Sequence, residues 1–401
     1  MAVAATKTPV QSTELGAALL SAAMALPCVM GVAHAETAPE KGSLTFKYLN
    51  YQERQQIVSE ASAGGSNSGY SKSGASAFDD RIRVKASATN LMVPLNAEWS
   101  ASGTLITDSI SGASPAYHTQ ALSGMKDFRR AVDTSLTRYL PNGTFTVGMS
   151  HSGENDYVSR AVSVLATQVS EDKNTTWTAG LGLNRDAIQP ANYIVAHEQK
   201  KGADLLLGVT QVLSMDDIVQ VNLGHYSGRG YFSDPYKIYD ERPRERQHQT
   251  FQARWNHHVS EWRGTSRLAY RYYTDTWGIR SHTLDAEWVQ RFGSDWRVAP
   301  QLRLYSQNAA RFYVEVDPRI APFPPSPLPN AVHFSEDQRL SAFGAITMGL
   351  KLTRQLSLDT AVDVKVEQYG QKAVWKFTGS GSQGLAPFYA RSIQVGITHT
   401  F

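Results

Sequence analysis

Cysteine is almost missing from this chain: there is one in 401 residues, Cys28. It lies within residues 15–35, LGAALLSAAMALPCVMGVAHA, a stretch that contains no Asp, Glu, Lys or Arg. Lys7 precedes that stretch and Ala33-His34-Ala35 closes it. This is the layout of a secretory signal, so residues 1–35 are expected to be cleaved after Ala35 and residues 36–401 to form one domain. Pro27 speaks against an uncleaved anchor and, standing where a small residue is required, against lipid attachment at Cys28. The exported chain then has no disulfide framework, no thiol nucleophile and no cysteine metal site.

Long apolar runs are lacking too. Nothing after residue 35 approaches the ~20 apolar residues of a membrane helix, and mean hydropathy is −0.34. The net charge of +3, from 39 basic and 36 acidic residues, is too close to neutral to indicate a nucleic-acid partner. There is no HExxH, GxSxG, Gly-Lys phosphate loop or CxxC. No catalytic set, cofactor or metal is therefore expected, and the protein is not expected to be an enzyme. Glu154, Asp156, His225, Asp234, Asp240 and Glu241 would form a hydrolytic site only if they converged; solvated loop charges are the plainer reading. The adjacent His257 and His258 would point to opposite faces of a strand, which disfavours a shared metal.

What the chain does contain is alternation. Towards Phe401, the residues Tyr389, Ile393, Val395, Ile397 and Phe401 share one face, and Ser392, Gln394, Gly396, Thr398 and Thr400 the other. Arg391 and His399 depart from the apolar face. Strands with lipid on one side and water on the other have this period. A terminal aromatic resembles the signal by which bacterial outer-membrane barrels are assembled, which makes Phe401 a candidate contact for the barrel-assembly machinery. Sixteen such segments can be drawn: 43–52, 80–93, 98–108, 130–140, 144–152, 157–169, 176–186, 199–213, 218–227, 248–258, 265–275, 280–292, 296–307, 338–352, 356–368 and 388–401. Fourteen or eighteen remain open, because the first segment and residues 370–377 are weakly patterned.

Short turns at 94–97, 141–143, 170–174, 214–217, 260–264, 293–295 and 353–355 alternate with connections that are mostly long. An even strand count places both termini and all seven turns on the periplasmic side. Trp99, Trp177, Trp255, Trp262, Trp288 and Trp296 fall near those turns, with Phe292 and Phe401, as an interfacial girdle would. Trp277 and Trp375 fall at the other end. The expected fold is a transmembrane antiparallel up-and-down β-barrel in the bacterial outer membrane, with outer-membrane lipid around it. PFPPSPLP, in the loop 308–337, cannot join a strand ladder.

Strand parity sorts the charges. Arg254, Arg267, Arg271, Asp285, Glu287, Arg297, Arg303, Arg339, Lys351, Asp363, Lys365 and Glu367 lie opposite apolar residues, as do Arg81, Arg83 and Lys85 opposite Ile82, Val84 and Ala86. Arg or Lys facing lipid at mid-membrane costs roughly 2–4 kcal/mol, so this face is expected to line the lumen. Adjacent basic and acidic ladders suit a porin-like channel for small polar or charged solutes. Mutual pairing would instead give a closed barrel that anchors or sheathes a periplasmic or surface partner. Two loops could form a constriction: 107–118, through Tyr117 and His118, and 226–246, with Arg242, Arg244 and Arg246 as anion contacts.

Seven stretches carry a resemblance: DDRIRVKAS (79–87), DSISGASPAYH (108–118), GRGYFSDPYK (228–237), RPRER (242–246), ARWNHH (253–258), YRYYTDTWGIRSHTL (270–284) and DQRLSAFGAITMGLKL (337–352). Together they resemble a proteobacterial outer-membrane β-barrel family catalogued as domain of unknown function 3570. The resemblance covers essentially the whole exported chain. It implies an exported barrel with no assigned activity, and it transfers no residue roles.

Overall fold

The computed structural model of the chain describes residues 38–56, 78–113, 124–237, 239–315 and 327–401. The expected signal segment and cleavage site, Tyr117, His118 and most of the proline run lie outside the described residues. Eighteen strands follow one another: β1 (Ser43–Gln56), β2 (Phe78–Asn96), β3 (Trp99–Ala113), β4 (Gly124–Leu140), β5 (Gly143–Gly153), β6 (Tyr157–Val169), β7 (Thr175–Ile188), β8 (Glu198–Val212), β9 (Asp217–Gly230), β10 (Asp240–Glu241), β11 (Glu245–Val259), β12 (Gly264–Asp275), β13 (Arg280–Phe292), β14 (Trp296–Gln307), β15 (Phe334–Ser335), β16 (Phe343–Gln355), β17 (Thr360–Lys372) and β18 (Phe388–Thr400). Sixteen of them close into one antiparallel barrel, and β10 with β15 forms a separate two-stranded sheet.

Closure is made by β1 on β18, with Phe46 opposite Ile397 and Tyr48 opposite Val395. A closed ladder leaves no strand edge unsatisfied, which is what a β-structure surrounded by lipid requires. Alternation sets the two faces. On β5, Phe145, Val147 and Met149 are exposed on the outer surface, while Thr144, Thr146 and Gly148 turn inward. The same outer face carries Leu181 and Leu183 on β7 and Leu350 and Leu352 on β16. Arg391 and His399 prove to be outward residues near the two ends of β18. Arg391 donates to Gln52 at 2.7 Å, and His399 meets Thr360 at 3.0 Å.

All sixteen expected strands are present, and several run further at the outer end. β1 reaches Gln56, β3 reaches Ala113, β4 starts at Gly124 and β11 starts at Glu245. There the ladder continues through polar residues after the apolar alternation has ended. Two boundaries near the C-terminus differ from expectation. Residues 338–340 form a 3-10 turn, capped by the Asp337 carboxylate accepting from the Arg339 N–H, so β16 starts only at Phe343. Residues 353–355 remain in β16, and the turn is at 356–359, closed by Leu356 N–H donating to Thr360 O at 2.8 Å.

The short-turn end carries the aromatic rim. Trp177, Trp255, Trp262 and Trp296 are exposed there, and Trp288 packs edge-on against Trp262 with ring centres 5.8 Å apart. Gly42 and Phe401 exchange backbone hydrogen bonds of 2.9 and 3.0 Å at the same end, leaving the Phe401 ring exposed. Trp277 does not belong to any rim; it is 2 % exposed inside the outer loops.

Candidate functional site

The register places Arg254, Arg267, Arg271, Asp285, Glu287, Arg297, Arg303, Lys351, Asp363, Lys365 and Glu367 on the inward face. Most are paired there. Arg267 donates to Glu287 at 3.0 Å, Arg303 to Asp285 at 2.5 Å, and Lys365 lies 2.8 Å from Glu367. Lys351 and Asp363 are looser at 3.9 Å. Among the described residues, Arg254, Arg271 and Arg297 form no ion pair. This wall is therefore a cross-linked ladder with a residue of unbalanced positive charge.

Three expected lumen residues lie elsewhere. Arg83 and Lys85 face outward, because they stand opposite Gln52 and Asn50, on the same face as Tyr48 and Phe46. The inward face of this region is apolar instead: Leu49, Val84, Ala86, Ala88 and Ile110 are buried against one another. An extra residue in β2, between the pairs Gln52–Arg83 and Arg54–Asp80, switches parity, so Arg81 does face inward. Arg339 is not on a strand at all; it belongs to the outer ionic cluster described below.

The wall from β3 to β8 carries few charges and is not marked by charge parity. Its inward residues are small: Ser102, Thr104, Ser135, Gly148, Ser150, Ala161, Ser163 and Gly182. They leave a cavity of about 410 Å³, with Asn184 and the carboxyl groups of Asp133 and Asp204 among its lining. Neither aspartate forms an ion pair among the described residues. β4 and β13 are eight strands apart around the sixteen-strand ring, so Asp133 looks across the lumen towards the arginine-bearing wall. The alternating small residues of TVGMS and TAGLGLN were the available signal for this space.

Above the lumen, the outer connections interlock. Trp277, from the turn between β12 and β13, packs edge-on against Phe232 and Phe312, with ring centres 5.6 and 5.3 Å away. Ile279, Ala310 and Leu340 complete this buried cluster. The loop after β9 leaves the barrel at Gly230, whose φ of +135° and 2.1 Å approach of an added Cβ to Gln199 O admit only glycine. It then reaches over the inner face: the Phe232 ring lies 5.5 Å from Nζ of Lys200, an inward residue 3.5 Å from Asp186. Further on, the Tyr236 hydroxyl donates to Asp156 at 2.7 Å, and the Asn192 amide donates to Pro235 O at 2.8 Å.

The three expected anion contacts are all neutralised within this cap. Arg242 is buried and donates to both oxygens of Asp240, at 2.7 and 2.8 Å, and to Asp337 at 2.7 Å. Arg244 pairs with Glu198. Arg246 donates to Asp275 at 2.9 Å and lies 4.1 Å over the Trp277 ring. Arg339 joins Asp337 and lies 3.5 Å from Asp234. Although burial works the other way, the Arg339, Lys237 and Arg242 charges hold Asp337 well below the usual carboxylate range. Burial pushes Glu336 up to about 7.

The acids named in the sequence do not assemble a hydrolytic site. His225 is outward on β9, while Asp234 and Asp240 belong to the ionic cluster. Glu154 and Asp156 instead meet Asp127, with ligand-type oxygens within 4.8 Å of one another. Burial, then the Asp127 charge, pushes Glu154 up to about 8, so it carries a proton at neutral pH. His257 lies on the outer face, 2.8 Å from Asp217, and His258 contacts Thr265 on the other face.

A family model described as "Protein of unknown function (DUF3570)" matches residues 16–391. No curated protein matches the sequence. Among solved structures, a Pseudomonas aeruginosa FadL homologue is similar at 11 % identity and a TM-score of 0.41, over 90 % of both chains. Pseudomonas aeruginosa OccK9 (OpdG) is similar at 8 % identity and a TM-score of 0.42, over 90 % of this chain and 98 % of that one. The translocator domain of autotransporter NalP from Neisseria meningitidis is similar at 10 % identity and a TM-score of 0.39, over 99 % of this chain and 100 % of that one.

Proposed function

The chain belongs to the family described as "Protein of unknown function (DUF3570)", and from that premise we propose a gated, non-enzymatic passage for small polar or charged solutes across the bacterial outer membrane. The location is supported by the outer face of the barrel, where apolar side chains such as Leu181, Leu350 and Val395 are exposed above a rim of tryptophans. The exposed Phe401 at the end of β18 is the feature offered to the assembly machinery.

The observation that carries passage is the small-residue wall of β3–β8. A barrel meant only to be filled has no use for Gly148, Ser163 and Gly182 facing a cavity of about 410 Å³. Asp133 and Asp204, unpaired on that wall, favour cations, and the cap built around Trp277 acts as the gate. One specific observation favours a closed structural barrel instead: the cap is locked by the buried Arg242–Asp240–Asp337 cluster. In that reading the barrel anchors a periplasmic or surface partner.

Single-channel recording of the refolded chain in a planar bilayer decides between them. Passage predicts discrete steps with a reversal potential on the cation side. Silence from a heat-modifiable barrel, retained when the cap is loosened by Trp277→Ala, overturns passage in favour of the closed barrel.

A further inference from the structure

The outward face of the barrel carries a row of cations that passage does not use. Arg160 on β6 stands directly opposite Arg185 on β7. Arg185 stands opposite Lys201 on β8, and Lys201 opposite Arg229 on β9. His151 on β5 extends the row from Arg160. All share the outer face with Val162, Leu183 and Ala203, and all are exposed, Arg229 at 80 % of its side chain.

Directly opposed residues have Cβ atoms about 4.5–5.5 Å apart, and like charges placed so destabilise a sheet. Little among the described residues offsets them. Glu245 meets only the last member, Arg229, at 2.6 Å, and Arg185 donates to the neutral Gln199 at 2.8 Å. Arg160 and Lys201 form no ion pair among the described residues. The row also has a fixed relation to the apolar surface. Going inward from the outer end, Arg160 is followed on its face by Val162 and Val164, Arg185 by Leu183 and Leu181, and Lys201 by Ala203 and Leu205. The cations thus begin where the acyl-chain surface stops.

We propose that Arg160, Arg185, Lys201 and Arg229 bind the phosphorylated headgroup of an outer-leaflet lipid, whose acyl chains lie along the apolar face of β6–β8. Guanidinium groups take phosphate oxygens in pairs, and a headgroup with more than one phosphate can span several strands of the row. Binding neutralises Arg160, Arg185 and Lys201, which form no ion pair among the described residues, and the apolar face below selects a lipid over a free phosphate. This rests on the membrane-spanning reading of the barrel and is independent of whether the lumen conducts.

The test uses the full, detergent-folded chain and bisphosphorylated lipid A as the probe, with bound copies read by native mass spectrometry. Lipid A is expected to be retained about tenfold more strongly than its dephosphorylated form. The variant R160Q/R185Q/K201Q is expected to lose that preference while keeping heat modifiability and the wild-type conductance pattern, silent or not. Equal retention of the two lipids by the unaltered chain overturns the proposal without the need for any variant. Undiminished lipid A binding by the triple variant also overturns it. Full displacement of lipid A by equimolar inorganic pyrophosphate would reassign the row to a soluble phosphate ligand.

Discussion

Arg81 Nε lies 3.4 Å from Glu53 Oε2 inside the barrel, with both side chains nearly sealed from solvent. The Tyr51 hydroxyl also donates to Glu53, at 2.7 Å, and the Arg81 guanidinium sits 5.5 Å over the Phe388 ring. Two positions along the same strand, Arg83 faces the opposite side and pairs with Asp80 in the open. The bulge in β2 makes that difference.

Removing one partner of a buried pair strands the other charge, at a cost of about 3–5 kcal/mol. Glu53→Ala should lower the unfolding free energy of the barrel by that order, whereas Arg83→Gln, an exposed pair, should cost under about 1 kcal/mol. Denaturant titration of both variants measures the contrast. Equal losses would mean that the two arginines share a face.

The cap depends on Trp277. Truncating a buried tryptophan costs about 3–5 kcal/mol, and Trp277→Ala should release that cost locally, because Trp277 joins three outer connections rather than the strand ladder. Protease cleavage within 231–247 and 308–315 should accelerate while heat modifiability persists. If the gate reading holds, channel open time should rise in the same variant.

Breaking the ionic cluster should act more strongly than removing the exposed arginine beside it. Asp240→Asn deprives Arg242 of its bidentate partner in a buried setting, with a local cost of about 3 kcal/mol or more. Arg244→Gln removes an exposed pair with Glu198 and should be nearly neutral. Hydrogen exchange of the Asp240–Glu241 and Phe334–Ser335 amides reports on both.

Selectivity should follow the acidic wall. Asp133→Asn with Asp204→Asn removes the two unpaired carboxyl groups at the 410 Å³ cavity and leaves the arginine wall intact. The reversal potential in a salt gradient should move from the cation side through zero. An unchanged potential would put the selective region elsewhere.

The turn at 154–156 should respond to pH with a known sign. Glu154 has its folded-state pKa raised from 4.5 to about 8, so between those values the folded state holds the extra proton. Stability of this turn is then full below about 4.5, falls as pH rises through the window and levels off above about 8. Exchange at the Glu154 amide, which donates to Tyr157 O at 2.8 Å, should open more at pH 9 than at pH 6 after correction for intrinsic rates. Glu154→Gln should remove most of that dependence.

The barrel, its strand number and the gathering of its short turns at the end that holds the termini were legible in the chain because they depend on local periodicity. One apolar residue in two, interrupted by turn residues, is enough to specify strands with one lipid-facing side, and an even count brings both ends together. The charged faces of β11–β14, β16 and β17 were legible for the same reason. Arg83 and Lys85 lie outward because the inward face of β2 is apolar there, and the bulge, of which parity carries no record, turns only Arg81 inward. The apolar face of Val84 and Ala86 looked like a lipid face, since an inward apolar patch and an outward one have the same period.

Only the closed fold decided the rest. Whether an arginine is available to a ligand depends in part on carboxylates that lie far away in sequence: Arg244 pairs with Glu198, 46 positions back, and Arg242, already held by Asp240, also donates to Asp337, 95 positions on. The cavity wall follows from small residues on five neighbouring strands, β3 to β7, no one of which is informative alone. The cation row of Arg160, Arg185, Lys201 and Arg229 exists only in register. Local sequence sets which face a side chain takes, but which charges become neighbours is set by strand pairing, and that pairing is long-range.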